Sequence, residues 1–208
     1  MHEGGNLIRK IINRYNKLAA KGKPDEVINK LRLQRGNHVL EIGVGGGYYA
    51  QLFASTIGDK GIYAGLDVDE ALLENLAQMN AASEYENMHP FNAANLPIDE
   101  LGDIFNQKLS VQFDVVFTRD TYHHLKDRVR YFSSLLPCIK EGGRLAVIDY
   151  DESWSLYRLF GHYTPKAMVF SEIISAGYVL EGDYSFLPWQ SFLVFQKPAV
   201  WDEVSGEV

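Results

Sequence analysis

From residue 37 onward, short and almost wholly apolar runs alternate with longer amphipathic stretches, and that alternation leaves few architectures open. HVLEI (38–42) reads as a buried strand, and GIYAGLDV (61–68), residues 88–91, FDVVFT (113–118) and RLAVIDY (144–150) as further strands. Between them, residues 48–57 closed by Gly58, residues 70–82 with Leu72, Leu73, Leu76 and Met79 at helical spacing, and residues 127–139 read as helices. Thr164-Pro165 has the form of an N-cap and first-turn proline for a further helix reaching Ser175. YVLEGDY (178–184) and SFLVFQK (191–197) follow with no helix between them, so the last strand is expected antiparallel. The pattern predicts an α/β fold: an open seven-stranded, mostly parallel sheet with helices on both faces.

The 208 residues suit one such domain with extensions. Residues 1–35 are expected to form an N-terminal helical cap, residues 36–198 the α/β domain and residues 199–208 a tail. Within the cap, residues 6–21 carry Leu7, Ile8, Ile11, Ile12, Tyr15 and Leu18 at helical spacing, with Arg9, Lys10, Arg14 and Lys17 between them. That basic amphipathic helix can dock on its own acidic body or touch a membrane surface peripherally. A second helix is expected from Pro24 to Leu33. Residues 1–35 hold nine Lys/Arg against three acidic residues, so a chain of net charge −7 has −13 in its remaining 173 residues. Such a body is a poor electrostatic match for nucleic acid. No run approaches 18 apolar residues, which excludes an integral span, and the first residues lack the apolar core of a secretory signal. The single cysteine, Cys138, excludes a disulfide framework and a Cys-rich zinc site, and points to a reducing, cytoplasmic setting. Monomer and homodimer are both left open.

The chemistry concentrates in Val39-Leu-Glu-Ile-Gly43-Val-Gly45-Gly46-Gly47-Tyr-Tyr, which joins a buried strand to a helix. A glycine-rich turn there lets backbone N–H groups approach a ligand beyond the carboxyl end of the sheet. Tyr48 occupies the position that a dinucleotide-binding G-x-G-x-x-G reserves for glycine, and Glu41 sets a carboxylate where a pyrophosphate has no use for one. Both features disfavour a nicotinamide oxidoreductase. The next strand ends at Asp67, placed to accept hydrogen bonds from two ribose hydroxyls.

With these residues in place, the sequence resembles the class I S-adenosylmethionine-dependent methyltransferases, and within them the members acting on small molecules. VLEIGVGGG is similar to their first motif, GLDVD (65–69) to their second, FNAANLPI (91–98) to their adenine-contacting loop, and FDVVFTRDTYHHL (113–125) to their fourth. LPCIKEGGRLAVID (136–149) resembles their fifth strand and its approach, so the likeness runs in order from about residue 37 to 197. It implies S-adenosylmethionine as cofactor, S-adenosylhomocysteine as product and a small organic methyl acceptor. Gly43, Gly45 and Gly47 would pass beneath the methionine part, with Glu41 near its ammonium group. Asp67 would bind the ribose, Val68 would lie on the adenine face, and Asn92 with Ala93 would meet the adenine edge. Asn92 departs from the acidic residue more frequent there. Thr118, Arg119 and Asp120 would border the methyl group.

Methyl transfer from a sulfonium needs alignment above all, worth roughly 7–11 kcal/mol, whereas a general base adds about 10²–10⁴-fold. The candidates for such a base are His123 and His124, with Asp120 beside them, just beyond the fourth motif. Adjacent histidines are expected to point apart, so no metal site is predicted. The acceptor is expected to meet Arg119 and Tyr122, and an aromatic lining of Trp154, Tyr157, His162, Tyr163 and Trp189. Arg119 is the group suited to a carboxylate or phosphate. No Asn/Asp-Pro-Pro-aromatic motif follows the fourth strand, where the chain reads RDTY, which argues against amino-methylation of nucleic acid. A non-catalytic module that only binds the cofactor is the alternative.

Overall fold

The structure is a computed structural model that describes residues 23–151 and 162–199. The basic helix expected over residues 6–21, together with Trp154 and Tyr157, lies outside the described residues.

Seven strands form one sheet: β1 (His38–Ile42), β2 (Ile62–Asp67), β3 (Met88–Asn92), β4 (Phe113–Arg119), β5 (Ile139–Tyr150), β6 (Val179–Tyr184) and β7 (Gln190–Gln196). Their order is β3-β2-β1-β4-β5-β7-β6, and β7 alone runs against its neighbours, pairing antiparallel with both β5 and β6. Alternate residues of β1 feed two apolar layers. Leu40 and Ile42 join Phe105, Phe132 and Ile173 on one face, and Val39 joins Phe53, Tyr63, Leu76 and Phe117 on the other. The first layer is covered by α4 (Leu101–Leu109), α5 (Arg128–Ser134) and α6 (Lys166–Ser175). The second is covered by α1 (Pro24–Leu31), α2 (Tyr48–Ile57) and α3 (Glu70–Ala81). Val27 and Leu31 of α1 are fully buried in that second layer, so α1 packs onto the core through these two side chains.

Three elements differ from the sequence reading. α1 stops at Leu31 because Arg32 turns left-handed (φ 52°), two residues short of the expected Leu33. The helix expected over residues 127–139 breaks into α5 and a 3-10 turn at Leu136–Cys138, since Pro137 clashes with the preceding helical backbone. β5 accordingly begins at Ile139 and absorbs Glu141-Gly142-Gly143 as an irregularity opposite Phe113–Val115. α4 falls between FNAANLPI and FDVVFT, where the sequence pattern assigned no element.

The parallel register aligns the carboxyl ends of the central strands. Ile42 pairs with Leu66 and Thr118, Asp67 with Asn92, and Arg119 with Ile148. The antiparallel entry of β7 brings Gln190 opposite Tyr150 at the same edge. The order of connection reverses between β1 and β4, and a ligand crevice is expected there.

Candidate active site

Past β1 the chain turns through Gly43, Gly45 and Gly47, all in the left-handed region (φ 82°, 53° and 73°). A Cβ on Gly43 would stand 2.0 Å from Thr121 Oγ1, and one on Gly47 would stand 2.8 Å from the Met79 side chain. Gly45 and Gly46 have open space where a Cβ would go. The turn is therefore closed against the protein at its ends and open to a ligand in its middle.

Asp67, at the end of β2, holds that turn in place. Its Oδ2 accepts the Gly45 N–H at 3.1 Å, and its Oδ1 accepts the N–H groups of Val68 and Asp69 at 2.8 and 3.1 Å. Three donors leave part of the four-site accepting capacity of a carboxylate for a further partner. Beside it Val68 is 67% exposed, an apolar side chain with no core to enter. An open glycine cradle, a carboxylate with spare capacity and a bare aliphatic face suit a nucleoside joined to an amino acid. These residues fit the cofactor implied by the motifs.

Glu41 is only 3% exposed and accepts the Tyr63 hydroxyl at 2.6 Å. Burial pushes its carboxyl up to about 8, against the opposing pull of the Tyr63 hydrogen bond and Arg119. Asn92 is engaged locally: its Oδ1 accepts the Ala94 N–H at 2.8 Å and its Nδ2 donates to Glu70. Ala93 donates its N–H to the Asp67 carbonyl, fixing this loop to β2.

At the end of β4, several expected roles change. The Thr118 side chain is fully buried and donates its hydroxyl to the Ile42 carbonyl, tying β4 to β1 rather than facing a ligand. Tyr122 is also fully buried, stacked on Phe132 at 5.5 Å, with its hydroxyl donated to Glu172, so it does not line a substrate space. Arg119 is held by the Tyr49 hydroxyl at 2.8 Å and Gln190 Oε1 at 2.9 Å, with a side chain 7% exposed. It is a built-in cation of the site rather than a free arm. Asp120 takes a left-handed φ of 53° and accepts Gln190 Nε2 at 2.5 Å. Burial, with Arg119 opposing it, pushes the Asp120 carboxyl up to about 6.

The histidines depart furthest from expectation. His123 and His124 lie on a 3-10 turn, and their rings meet although successive side chains on such a turn start out about 120° apart. Their ring centroids are 4.1 Å apart, and His162 approaches both, at 5.5 and 5.4 Å. His123 Nδ1 lies 2.8 Å from Asp149 Oδ1, a fully buried carboxylate on β5 that also accepts the Thr164 hydroxyl at 3.0 Å. Thr164 therefore serves Asp149 instead of capping α6, whose N-cap is Pro165. Sequence reasoning missed Asp149 and Gln190 as site residues: Asp149 looked like one residue of a strand and Gln190 like the end of the loop before the last strand, and the register of β5 with β7 brings both to the site. Trp189, in the left-handed region and 41% exposed, and Tyr163, half-buried, complete the described part of the expected lining. Cys138 is fully buried in the turn before β5. A cavity of about 480 Å³ lies elsewhere, between α2 and α3, lined by Gln51, Asn75, Met79 and Asn87.

The sequence matches the family described as "Methyltransferase domain" over residues 40–145, from β1 into β5. It is 26% identical over 147 residues to the Ubiquinone biosynthesis O-methyltransferase of Coxiella burnetii, an alignment covering 67% of this chain and 58% of that protein. It is 26% identical over 186 residues to Phosphoethanolamine N-methyltransferase 1 of Arabidopsis thaliana, covering 88% of this chain and 32% of that protein. The alignment thus spans little more than half of the first relative and a third of the second. Among solved structures, a SAM dependent methyltransferase from Aquifex aeolicus superposes with a TM-score of 0.69 at 18% identity, over 84% of this chain and 89% of that one. An open parallel sheet with a glycine turn at its switch point and one reversed strand next to its far edge defines a nucleotide-cradling α/β fold. The chain belongs to the S-adenosylmethionine-dependent methyltransferases of class I.

Proposed function

We propose that the protein transfers a methyl group from S-adenosylmethionine to an oxygen of a small organic acceptor. The observation that carries this reading is the pairing of the open Gly45–Gly46 turn with the Asp67 carboxylate, which together suit an adenosyl amino acid. When bound, that cofactor supplies an activated methyl group on sulfur. The chain's own work is then to hold and to orient. Asp67 would take the ribose hydroxyls, Val68 the adenine face, and the Asn92–Ala93 loop the adenine edge. Glu41 lies two residues before the glycine turn, where the cofactor's ammonium would favour its ionised form.

An oxygen acceptor is favoured by the His123–Asp149 pair. A hydroxyl must lose a proton as its oxygen takes the methyl group. An imidazole fixed through Nδ1 by a buried carboxylate presents its other nitrogen for that proton. Of the relatives named above, one is by its name an O-methyltransferase and the other an N-methyltransferase, and both names support a small organic acceptor. Among the described residues no helix is long and apolar enough to cross a membrane. With one buried cysteine and an acidic body, we place the protein in the cytoplasm, with peripheral membrane contact reserved for residues 6–21.

The test is release of S-adenosylhomocysteine across a panel of small phenols, alcohols and amines. Turnover with a hydroxyl compound, lost in Asp67→Ala, is the expected result. Binding of the cofactor with no turnover on any acceptor would favour the non-catalytic alternative.

A further inference from the structure

We propose that His123, His124 and His162 form a binding site for a single divalent transition-metal cation of borderline character, zinc first. One nitrogen from each ring lies within 4.8 Å of the other two, the only such group of three possible ligands among the described residues. A tetrahedral ion with bonds of about 2.0–2.1 Å wants its nitrogens about 3.3 Å apart. The rings therefore need to close on an ion, but not to be rebuilt around it.

The second observation is what stands behind the rings. Asp149 is fully buried, and its Oδ1 lies 2.8 Å from His123 Nδ1 while its Oδ2 accepts the Thr164 hydroxyl. A carboxylate on one ring nitrogen takes the N–H tautomer there and leaves the other nitrogen's lone pair outward. This carboxylate–histidine arrangement is the usual support of a metal-ligating imidazole. His123, its side chain 6% exposed, is thus the fixed ligand, with Nε2 the nitrogen available. His124 follows it on the 3-10 turn, and His162 comes from the other side of the β5–α6 connection. Imidazole suits zinc, copper, iron and nickel and has no preference for magnesium or calcium. Three protein ligands rather than four leave a coordination position open, as in catalytic rather than structural zinc sites.

Binding of the ion stands on the three rings alone. Its use rests on the function proposed above: with His123 Nε2 given to the ion, the ion would replace the free imidazole in activating the acceptor, since a hydroxyl placed on it would be positioned and made acidic enough to release its proton to water, so hydroxyl compounds with a neighbouring oxygen donor would be preferred.

The experiment uses the full chain with any affinity tag removed, stripped with a chelator and titrated with zinc chloride by calorimetry. Cobalt chloride is added to a second sample for its visible spectrum. One zinc per chain is expected, with a tetrahedral cobalt spectrum in the unmodified protein. His162→Ala and His124→Ala should each weaken zinc about 100-fold or more, and Asp149→Asn about 10–100-fold. S-adenosylhomocysteine binding is measured in every sample and is expected to survive all three substitutions, which shows that they fold. Zinc bound at less than stoichiometric amounts with no cobalt spectrum would overturn the site, as would equal affinity in the His124→Ala/His162→Ala double variant. If zinc binds as expected while S-adenosylhomocysteine does not, the metal site stands and the methyltransferase reading falls.

Discussion

Glu41 carries a cost that the apo protein reveals through pH. Its carboxyl is moved from 4.5 up to about 8, chiefly by burial. Between those values the unfolded chain has lost the proton and the folded chain still holds it, so stability falls as pH rises and levels off above about 8. The difference amounts to about 5 kcal/mol. Denaturant unfolding between pH 5 and 8.5 is expected to show this decline, and Glu41→Gln to flatten it, leaving the variant more stable than the parent at pH 8. Binding should run the other way. A cationic ammonium next to Glu41 favours its ionised form, so S-adenosylhomocysteine should bind more tightly as pH rises from 6 to 8, by up to about tenfold per unit. An affinity independent of pH in this range would place the ammonium elsewhere. Asp67 serves the same ligand by another route. Removing the acceptor of a charge-assisted hydrogen bond from the ribose, together with the acceptor that anchors the Gly45 N–H, at about 1.5–3 kcal/mol each, predicts a loss of about 100-fold or more in Asp67→Ala.

Within the turn between β1 and α2, neighbouring glycines separate folding from binding. Gly43 combines a left-handed φ with Thr121 pressed against its missing side chain. Gly43→Ala is therefore expected to cost about 3 kcal/mol or more of stability. Gly46 has open space and no left-handed requirement, so Gly46→Ala should fold normally and weaken the cofactor by about tenfold or more. Thermal unfolding paired with calorimetry distinguishes the two, and equal effects on both measures would show that the turn does not face the ligand. This turn was legible in the sequence because glycine spacing after an apolar run reports a backbone need directly. α4 was not: Leu101, Phe105 and Leu109 do recur every four residues, but Pro97-Ile-Asp-Glu before them has the composition of a loop. Its weight is nonetheless large. Phe105 is fully buried, and Phe105→Ala should cost about 3–5 kcal/mol, or about 10 °C in Tm. The roles of Thr118 and Tyr122 were misread for a different reason. Position after β4 says that a residue is near the site, but strand parity and a stacking partner decide which way it faces.

Over the whole molecule, the strand ends that would hold the cofactor belong to different parts of the sheet. Glu41 and the glycine turn extend from β1, Asp67 from β2, Asn92 from β3 and Arg119 from β4. α2 and α3 rest on one apolar layer, whereas β1 also feeds the other through Leu40 and Ile42. A ligand touching all four strand ends stabilises an assembly that unfolding must dissolve entirely, and no smaller segment retains the complete site. Its binding energy should then appear undiminished in global stability. At 100 times its Kd, S-adenosylhomocysteine is expected to add about 2.7 kcal/mol, a rise of about 5–10 °C in Tm. NAD should add nothing, since Tyr48 and the buried Glu41 leave no place for a pyrophosphate at the turn. The shift should shrink in Gly46→Ala and vanish in Asp67→Ala at the same ligand concentration. A full shift persisting in Asp67→Ala would mean that the ligand is held away from the ends of β1 and β2, and the cavity between α2 and α3 would become the place to look.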